Sequence, residues 1–350
     1  MLTEKQLNEI REHLENAKNP LFFFDNDVDG MMSFVLLRRM IGRGAGFAIK
    51  SSPELDKSYA NRIDEFSPDY IFVLDKPMIS QDFFRSAEQH NIPIVWIDHH
   101  DIDVGKLGDN VYYYNPIKNK EKLHEPISYI VYKISRRKQD NWISLAGCIG
   151  DNFLPEFISE VAYEYPELLK RNIKSAFEVL YNSEFGKIIS IISSAMKDRT
   201  TNVVFLMNFL FKVNSPIDIL TESESNCRIL DRYKQINHTY EKLLEKAKRV
   251  ARSSKRIAFF QYGGELSMSS DIANELSYRF PSKIIIVAYV KGNIANVSVR
   301  GSVDVRKITI EAIKQMPGAT GGGHENATGA KMPAEYLLKF RNLFEEYFRR

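Results

Sequence analysis

"LFFFDNDVDGMMSF", residues 21–34, decides how the first half of this chain is read. An apolar run opens it, three aspartates follow at alternate positions (Asp25, Asp27 and Asp29), and Gly30 closes the series. Carboxylates this close repel one another unless a cation sits among them. "LFFFD" is short, aromatic and preceded by proline, which predicts a buried strand. "MMSFVLLRRMI" carries helical periodicity and "GRGAG" ends it, so the acids fall in a strand-to-helix turn. If extended geometry persists through them, the three carboxylates point to one side. Gly30 then permits a tight turn and close approach of the helix, whose start around Met31 and Met32 offers backbone N–H groups to an anion.

Working outward, residues 3–17 predict a helix, "FAIKSS" a second strand, "DYIFVLD" a third ending at Asp75, "QDFFRSAEQH" a helix, and "IPIVWIDHHD" a fourth strand running into Asp98, His99 and His100. This β-α-β rhythm predicts an α/β fold with a parallel sheet covered by helices on both faces. The acids and imidazoles all follow the carboxyl ends of strands, where open parallel sheets place their ligand crevice. Asp151, closing the apolar small-residue stretch "SLAGCIGDN", is a fourth candidate. Carboxylates with neutral imidazoles and no thiolates favour Mn²⁺ or Mg²⁺. The set is large enough for two ions sharing a bridging acid; ions about 3.5–4 Å apart bind a phosphate, lower the pKa of a bridging water and stabilise a leaving oxygen. A calcium loop of the EF-hand type fits badly: counted from Asp25, its twelfth position is Leu36, not glutamate. Asp75 alone reads equally as a helix cap; the conjunction of the segments carries the argument.

Bulk properties frame this reading. The 350 residues suffice for two domains, and the formal net charge of +3 predicts local basic patches at most. Two distant cysteines, Cys148 and Cys227, argue against a disulfide framework and suit a reducing compartment. The charged amphipathic N-terminus does not resemble a signal peptide, and the expectation is a soluble cytoplasmic protein without membrane contact. Cys148, in an apolar segment, reads as an inert buried thiol. His13, His90, His124 and His238 read as surface or turn residues.

Residues 156–252 are largely helical by periodicity and become basic near their end, with Lys246, Lys248, Arg249, Arg252, Lys255 and Arg256. That run is either a solvated helix face or, with Lys283 and Lys291, a wall for a nucleic-acid backbone; Lys248, Arg249 and Arg252 are the candidate groove residues. Arg300 lies in an alternating strand pattern, "VSVRGS", and opposite a phosphate would make a bidentate contact. "GGGHENATG", between a predicted helix and a short strand-like segment, reads as an ordered anion-binding loop.

In order, "DNDVDG", "VLD", "IDHHD" and "GCIGD" resemble the four motifs of the DHH phosphoesterase superfamily. "YYYNPIKNK" resembles the Asn-Pro segment of its RecJ-like members, and "NVSVRGS" with "GATGGGHENATGAKMP" resembles the DHHA1 domain, in a variant fitting the archaeal group. The resemblance implies a DHH catalytic domain over residues 1–190, a helical connector over 191–255 and a smaller α/β DHHA1 domain over 256–350. It implies a metal site formed by Asp25, Asp27, Asp29, Asp75, His99 and Asp151, with Asp75 bridging two Mn²⁺ or Mg²⁺ ions. Asp25 is there a ligand or a ligand's partner, and Asp98 holds an imidazole. Asp27, Asp29, Asp75, His99, His100 and Asp151 form the catalytic set, while His100, Arg300, Ser302, Gly322, Gly323 and His324 take the substrate phosphate. The implied activity is exonucleolytic hydrolysis of single-stranded DNA or RNA ends, in a cleft between the domains. Two other readings stay open: a nanoRNase or pAp phosphatase acting on short oligonucleotides, and a replication factor associated with GINS or other replisome proteins. Bacterial RecJ carries a further oligonucleotide-binding barrel for which this chain is expected to have no room.

Overall fold

The computed structural model describes residues 1–51 and 53–349. The chain divides into two compact units, Met1–Tyr233 and Lys234–Arg350. The first opens with helix α1 (Glu4–Asn16), started by a Thr3–Gln6 capping box. There follow β1 (Pro20–Asp25), α2 (Val28–Ile41), β2 (Ala45–Ile49), β3 (Glu54–Leu55), α3 (Asn61–Phe66), β4 (Tyr70–Leu74), β5 (Met78–Ile79), α4 (Gln81–Gln89), β6 (Ile94–Ile97) and β7 (Val111–Tyr114). Helices α5 (Ile127–Ser135), α6 (Asn141–Gly150), α7 (Ile158–Glu164), α8 (Ala176–Asn182), α9 (Glu184–Met196), α10 (Thr200–Leu210) and α11 (Pro216–Leu220) complete the unit.

Its main sheet has five strands in the order β2-β1-β4-β6-β7, every pair parallel. The period of two divides each strand between two cores. Phe22, Phe24, Phe72, Leu74, Val95 and Ile97 pack on the side of α2, α5 and α6, while Leu21, Phe23, Ile71, Val73, Ile94 and Trp96 pack on the side of α3 and α4. Burial on both faces is why these strands read as continuous apolar runs. From β1 the chain first builds outward to β2 and then returns to place β4 on the other flank, so a topological switch point lies between β1 and β4.

α2 begins at Val28, three residues earlier than the apolar pattern suggests. Asp27 is its N-cap, in extended backbone, with a carboxylate oxygen accepting from Gly30 N at 2.9 Å. The extended geometry expected through Asp29 is therefore broken at Asp27, and Asp29 is already helical. Met31 N donates to Asp27 O, so this N–H, expected to face an anion, is spent within the helix. A Cβ on Gly30 would stand 2.5 Å from Asp25 O, which is why glycine is required where α2 folds back on β1.

Helix α12 (Cys227–Ser253) contains the division between the units: Ile229 and Leu230 belong to the first core, Ile236, Leu244, Ala247 and Ala251 to a core of the second. The second unit continues with β8 (Ile257–Tyr262), α13 (Ser269–Arg279), β9 (Ile284–Lys291), β10 (Ile294–Arg300), α14 (Val305–Ile313), β11 (Thr320–His324), β12 (Ala327–Pro333) and α15 (Leu337–Arg349). Its mixed sheet runs β11-β12-β10-β9-β8, with β8 and β9 parallel and the remaining pairs antiparallel. The glycine-rich segment expected as a loop is strand β11, turning through Glu325 and Asn326 into β12. Gly323 has φ of 134°, and a Cβ there would collide with Ala327 O, so bare glycine backbone is what lets this hairpin close. Among the described residues no helix is long and apolar enough to cross a membrane.

Candidate metal centre

β1 and β4 are adjacent and in register, Phe24 beside Leu74, so Asp25 and Asp75 leave the sheet as neighbours. Asp75, just past β4, has φ of 58°, a left-handed conformation that aspartate tolerates better than most side chains. Asp75 N donates to Ile97 O at 2.9 Å, and Trp96 Nε1 donates to Lys76 O at 2.7 Å. These bonds fasten a turn that brings the Asp75 carboxylate back over the sheet edge. Its Oδ1 is buried, makes no hydrogen bond, and lies 3.1 Å from His99 Nε2.

Asp98, which directly follows β6, is fully buried. The Asp98 carboxylate accepts from His100 N at 3.1 Å, from Tyr113 OH and from Asn115 Nδ2, and its Oδ1 is 2.7 Å from His100 Nδ1. With Nδ1 committed to Asp98, Nε2 is the nitrogen His100 offers a ligand. One ligand atom from each of Asp75, His99 and His100 falls within 4.8 Å of the others. Asp151, at the C-terminal cap of α6, brings Oδ2 to 3.6 Å from His99 Nδ1.

The three aspartates of the first motif separate in their surroundings. Asp25 pairs with Lys76, whose buried ammonium lies 2.8 Å from Asp25 Oδ1 and donates to Ser51 O at 2.7 Å. Asp27 keeps exposed surface at the mouth of the site. Asp29 is buried and turned to the N-terminus of α5, accepting from Ile127 N at 2.7 Å, from Ser128 N at 3.0 Å and from the Ser128 hydroxyl.

This crowding is electrostatically expensive. Loss of hydration and the charges of Asp25 and Asp29 push the Asp27 carboxyl up to about 7. Burial, then the charges of Asp27, Asp29, Asp151 and Asp25, raise Asp75 well above the carboxylate range. Asp151 is raised well above it by burial and by Asp29 and Asp27. For Asp29, burial outweighs the opposing hydrogen bonds from Ser128 and Ile127. Burial pulls the His100 imidazole down, yet the hydrogen bond and charge of Asp98, with Asp25 and Asp27, leave it raised. A divalent cation relieves the repulsion among all the carboxylates together. The unsatisfied Asp75 Oδ1 and this mutual repulsion are the two observations by which the oxygen-rich donor set fits such an ion.

Two neighbours of the site escape a reading of the sequence. His124 is exposed in a loop, as expected, but its ring stands 5.5 Å from the ring of His99. Lys76 follows Asp75 directly, and a lysine after a strand-end acid is a signal that could have been weighed. In the second unit, Arg300 donates from Nε to Asn274 Oδ1 at 2.6 Å and from Nη1 to Val299 O and Thr328 O, which orients the guanidinium. Ala327 pairs with both Arg300 and His324, placing these two on one face of the sheet. Gly322 and Gly323 lie in β11, Ser302 lies just past the end of β10, and His324 is exposed. Of the basic candidates on α12, Lys248 is largely covered and pairs with Glu245 at 2.8 Å. Arg249 and Arg252 are exposed. Lys283, expected to reinforce a basic wall, instead caps the end of α12 through Ala251 O at 2.6 Å and Ser254 O.

No curated protein matches the sequence at a significant level. Residues 21–149 match the DHH family, N-terminal domain, and residues 254–350 match the DHHA1 domain. RecJ from Thermus thermophilus in complex with Mn²⁺ is similar at a TM-score of 0.68 and 14% identity, over 99% of this chain and 55% of that one. This chain thus spans about half the length of the Thermus protein. An exonuclease RecJ bound to manganese matches at 0.66 and 15%, over 100% and 96% of the two chains. A pGpG-specific phosphodiesterase from Vibrio cholerae matches at 0.51 and 11%, over 93% and 97%. At these identities the likeness is one of fold. Two family domains in this order, over a parallel sheet edged with the expected acids and imidazoles, make the chain a member of the DHH/DHHA1 phosphoesterase superfamily with a RecJ-like fold.

Proposed function

We propose that the chain is a metal-dependent phosphodiesterase that hydrolyses single-stranded DNA or RNA from an end. The observation carrying this reading is the crowd of mutually repelling carboxylates, with His99 and His100, at the carboxyl ends of β1, β4 and β6. Asp27, Asp75, His99 and Asp151 would hold Mn²⁺ or Mg²⁺, with Asp75 placed to serve two ions. Bound there, divalent ions supply Lewis acidity and an acidified water. Asp25, tied to Lys76, borders the site, and Asp29 positions α5 rather than coordinating. His100, steadied by Asp98, would face a non-bridging phosphate oxygen. On the second unit, Arg300 and His324 would take a substrate phosphate, beside Ser302 and the backbone of Gly322 and Gly323.

The test is digestion of 5′- and 3′-labelled DNA and RNA ladders, from dinucleotides upward, with Mn²⁺. One end should be degraded progressively, with loss of activity in chelator. Internal cutting, or activity indifferent to chelator, would overturn the reading. Preference for dinucleotides would favour the short-oligonucleotide alternative, which the likeness in fold to the pGpG-specific enzyme supports.

Proton linkage gives a second check. The Asp27 carboxyl is raised from 3.8 to about 7 on folding without metal, so its contribution to stability is present below the unfolded value and lost as pH rises through about 7. The raised His100 acts in the same direction. In chelator the Tm should fall as pH rises from about 4 to about 7, and the upward Tm shift on adding Mn²⁺ should be larger at the upper end of that range than at the lower, since the ion binds ionised carboxylates. An Mn²⁺ shift independent of pH would mean that these groups do not hold it.

A further inference from the structure

Lys76 is buried beside a centre crowded with acids. A buried ammonium needs partners, and its partners come from neighbouring strands. Nζ donates to Asp25 Oδ1 at 2.8 Å, at the end of β1, and to Ser51 O at 2.7 Å, two residues past β2. The Lys76 carbonyl accepts from Trp96 Nε1 of β6. Lying two residues past β4, Lys76 thus links the carboxyl ends of β2, β1, β4 and β6, which are consecutive in the sheet.

Two roles fit these bonds, and they differ in what the charge does. As a structural tie, Lys76 supplies N–H donors to Asp25 and Ser51, and its charge is incidental. As a counter-ion, its charge acts on a carboxylate that stands among the candidate metal ligands. After burial, the Asp25 charge is foremost among those that push the Asp27 carboxyl up, and it is one of the charges that raise Asp75. Asp25 is therefore within electrostatic reach of both residues. Its Oδ1 is nonetheless taken twice, by Lys76 Nζ and by Asn26 N at 3.0 Å. A carboxylate paired with an ammonium is a poor donor to a divalent cation, because the two cations compete for its lone pairs and repel each other. A tie alone does not call for an ammonium, whose burial has to be compensated by the carboxylate it holds.

We infer that Lys76 is a positioning residue acting on the metal through Asp25: as a fixed internal cation it withholds the Asp25 carboxylate from the divalent ions and offsets its charge. The inference rests on the metal-centre reading and deepens it, since it gives the first aspartate of the motif to the lysine and makes this pair a determinant of how tightly the centre binds. A further anionic ligand would tighten the hold on an ion and blunt the Lewis acidity it supplies.

The experiment is a charge cycle on the full chain, with the Mn²⁺ Kd measured by titration calorimetry at one fixed pH for the wild type, Lys76→Met, Asp25→Asn and Asp25→Asn/Lys76→Met. Lys76→Met releases Asp25 and removes a positive charge, so Mn²⁺ should bind on the order of tenfold more tightly. Asp25→Asn leaves the ammonium without its carboxylate, so Mn²⁺ should bind on the order of tenfold more weakly. The double variant lacks both charges and should return to within about threefold of wild type. A structural tie predicts otherwise: Lys76→Met weakens Mn²⁺ binding as the Asp75 turn loosens, and Asp25→Asn does not repair it. That pattern overturns the inference. So does a double variant that binds as weakly as Asp25→Asn, which would make Asp25 a ligand in its own right. Both outcomes leave the metal centre standing, because the wild type binds. If Lys76→Met does not fold, the other two variants decide: the double variant must bind Mn²⁺ more tightly than Asp25→Asn, and equal or weaker binding overturns the inference. A wild-type chain that binds no Mn²⁺ brings down the metal-centre reading itself, and the role of Lys76 with it.

Discussion

Asp75→Asn should lose metal-dependent turnover by on the order of 10³-fold, about 4 kcal/mol of transition-state stabilisation, while the metal-free protein becomes no less stable. The two halves of this expectation share one cause. The Asp75 carboxylate is buried among Asp27, Asp29, Asp151 and Asp25, and its Oδ1 has no hydrogen bond to offset that position. In the absence of a cation its negative charge is a liability, so a neutral amide of the same shape relieves repulsion. Asparagine also tolerates the left-handed backbone at this position, whereas alanine would add strain at φ of 58°. The Tm in chelator should therefore hold or rise, and the Tm gain on adding Mn²⁺ should shrink sharply. An Asp75→Asn protein that keeps both turnover and its Mn²⁺ response would remove Asp75 from the site. A protein that loses Tm in chelator would show instead that the carboxylate is a structural anchor.

That combination, destabilising alone and required for activity, explains what was readable from the chain. Strands β1, β4 and β6 announce themselves because both their faces are buried, leaving apolar runs that end abruptly in charge. Asp75, Asp98, His99 and His100 stand where those runs stop, so their convergence follows from a parallel sheet. The first motif reads less well, because alternation of Asp25, Asp27 and Asp29 imitates a strand, while an Asp three residues ahead of glycine is also a good helix cap. Capping won, because it satisfies the Gly30 N–H at the start of α2. Long-range partners leave no local trace. Lys76 meets Asp25 across 51 residues, and Ser128 meets Asp29 across 99. His124 lies in a loop where nothing in its neighbours marks it, and the tertiary fold brings it to His99. The glycine-rich strand β11 defies propensity because its pairing with β12 requires backbone without side chains.

Asp29 provides the sharpest separation between a ligand and a support, and its removal should cost the most stability of any change in the site. Helix α5 begins after Pro126, which has no side chain able to cap it. Its first N–H groups, from Ile127 and Ser128, are buried and find their acceptor in the Asp29 carboxylate, far back along the chain. A third donor, the Ser128 hydroxyl, points the same way. Asp29→Ala would strand three buried donors, each worth roughly 1–3 kcal/mol when orphaned. Relief of like-charge repulsion with Asp27 and Asp75 offsets part of this, leaving a net loss of about 3 kcal/mol, or on the order of 5–10 °C in Tm. The loss should be present in chelator, and hydrogen exchange should localise it to the amides of Ile127 and Ser128. The Tm gain on adding Mn²⁺ should survive in good part, because Asp27, Asp75, His99 and Asp151 remain. The opposite pattern, an unchanged Tm in chelator with the Mn²⁺ response gone, would make Asp29 a direct metal ligand, and would require its carboxylate to leave α5 when the ion binds.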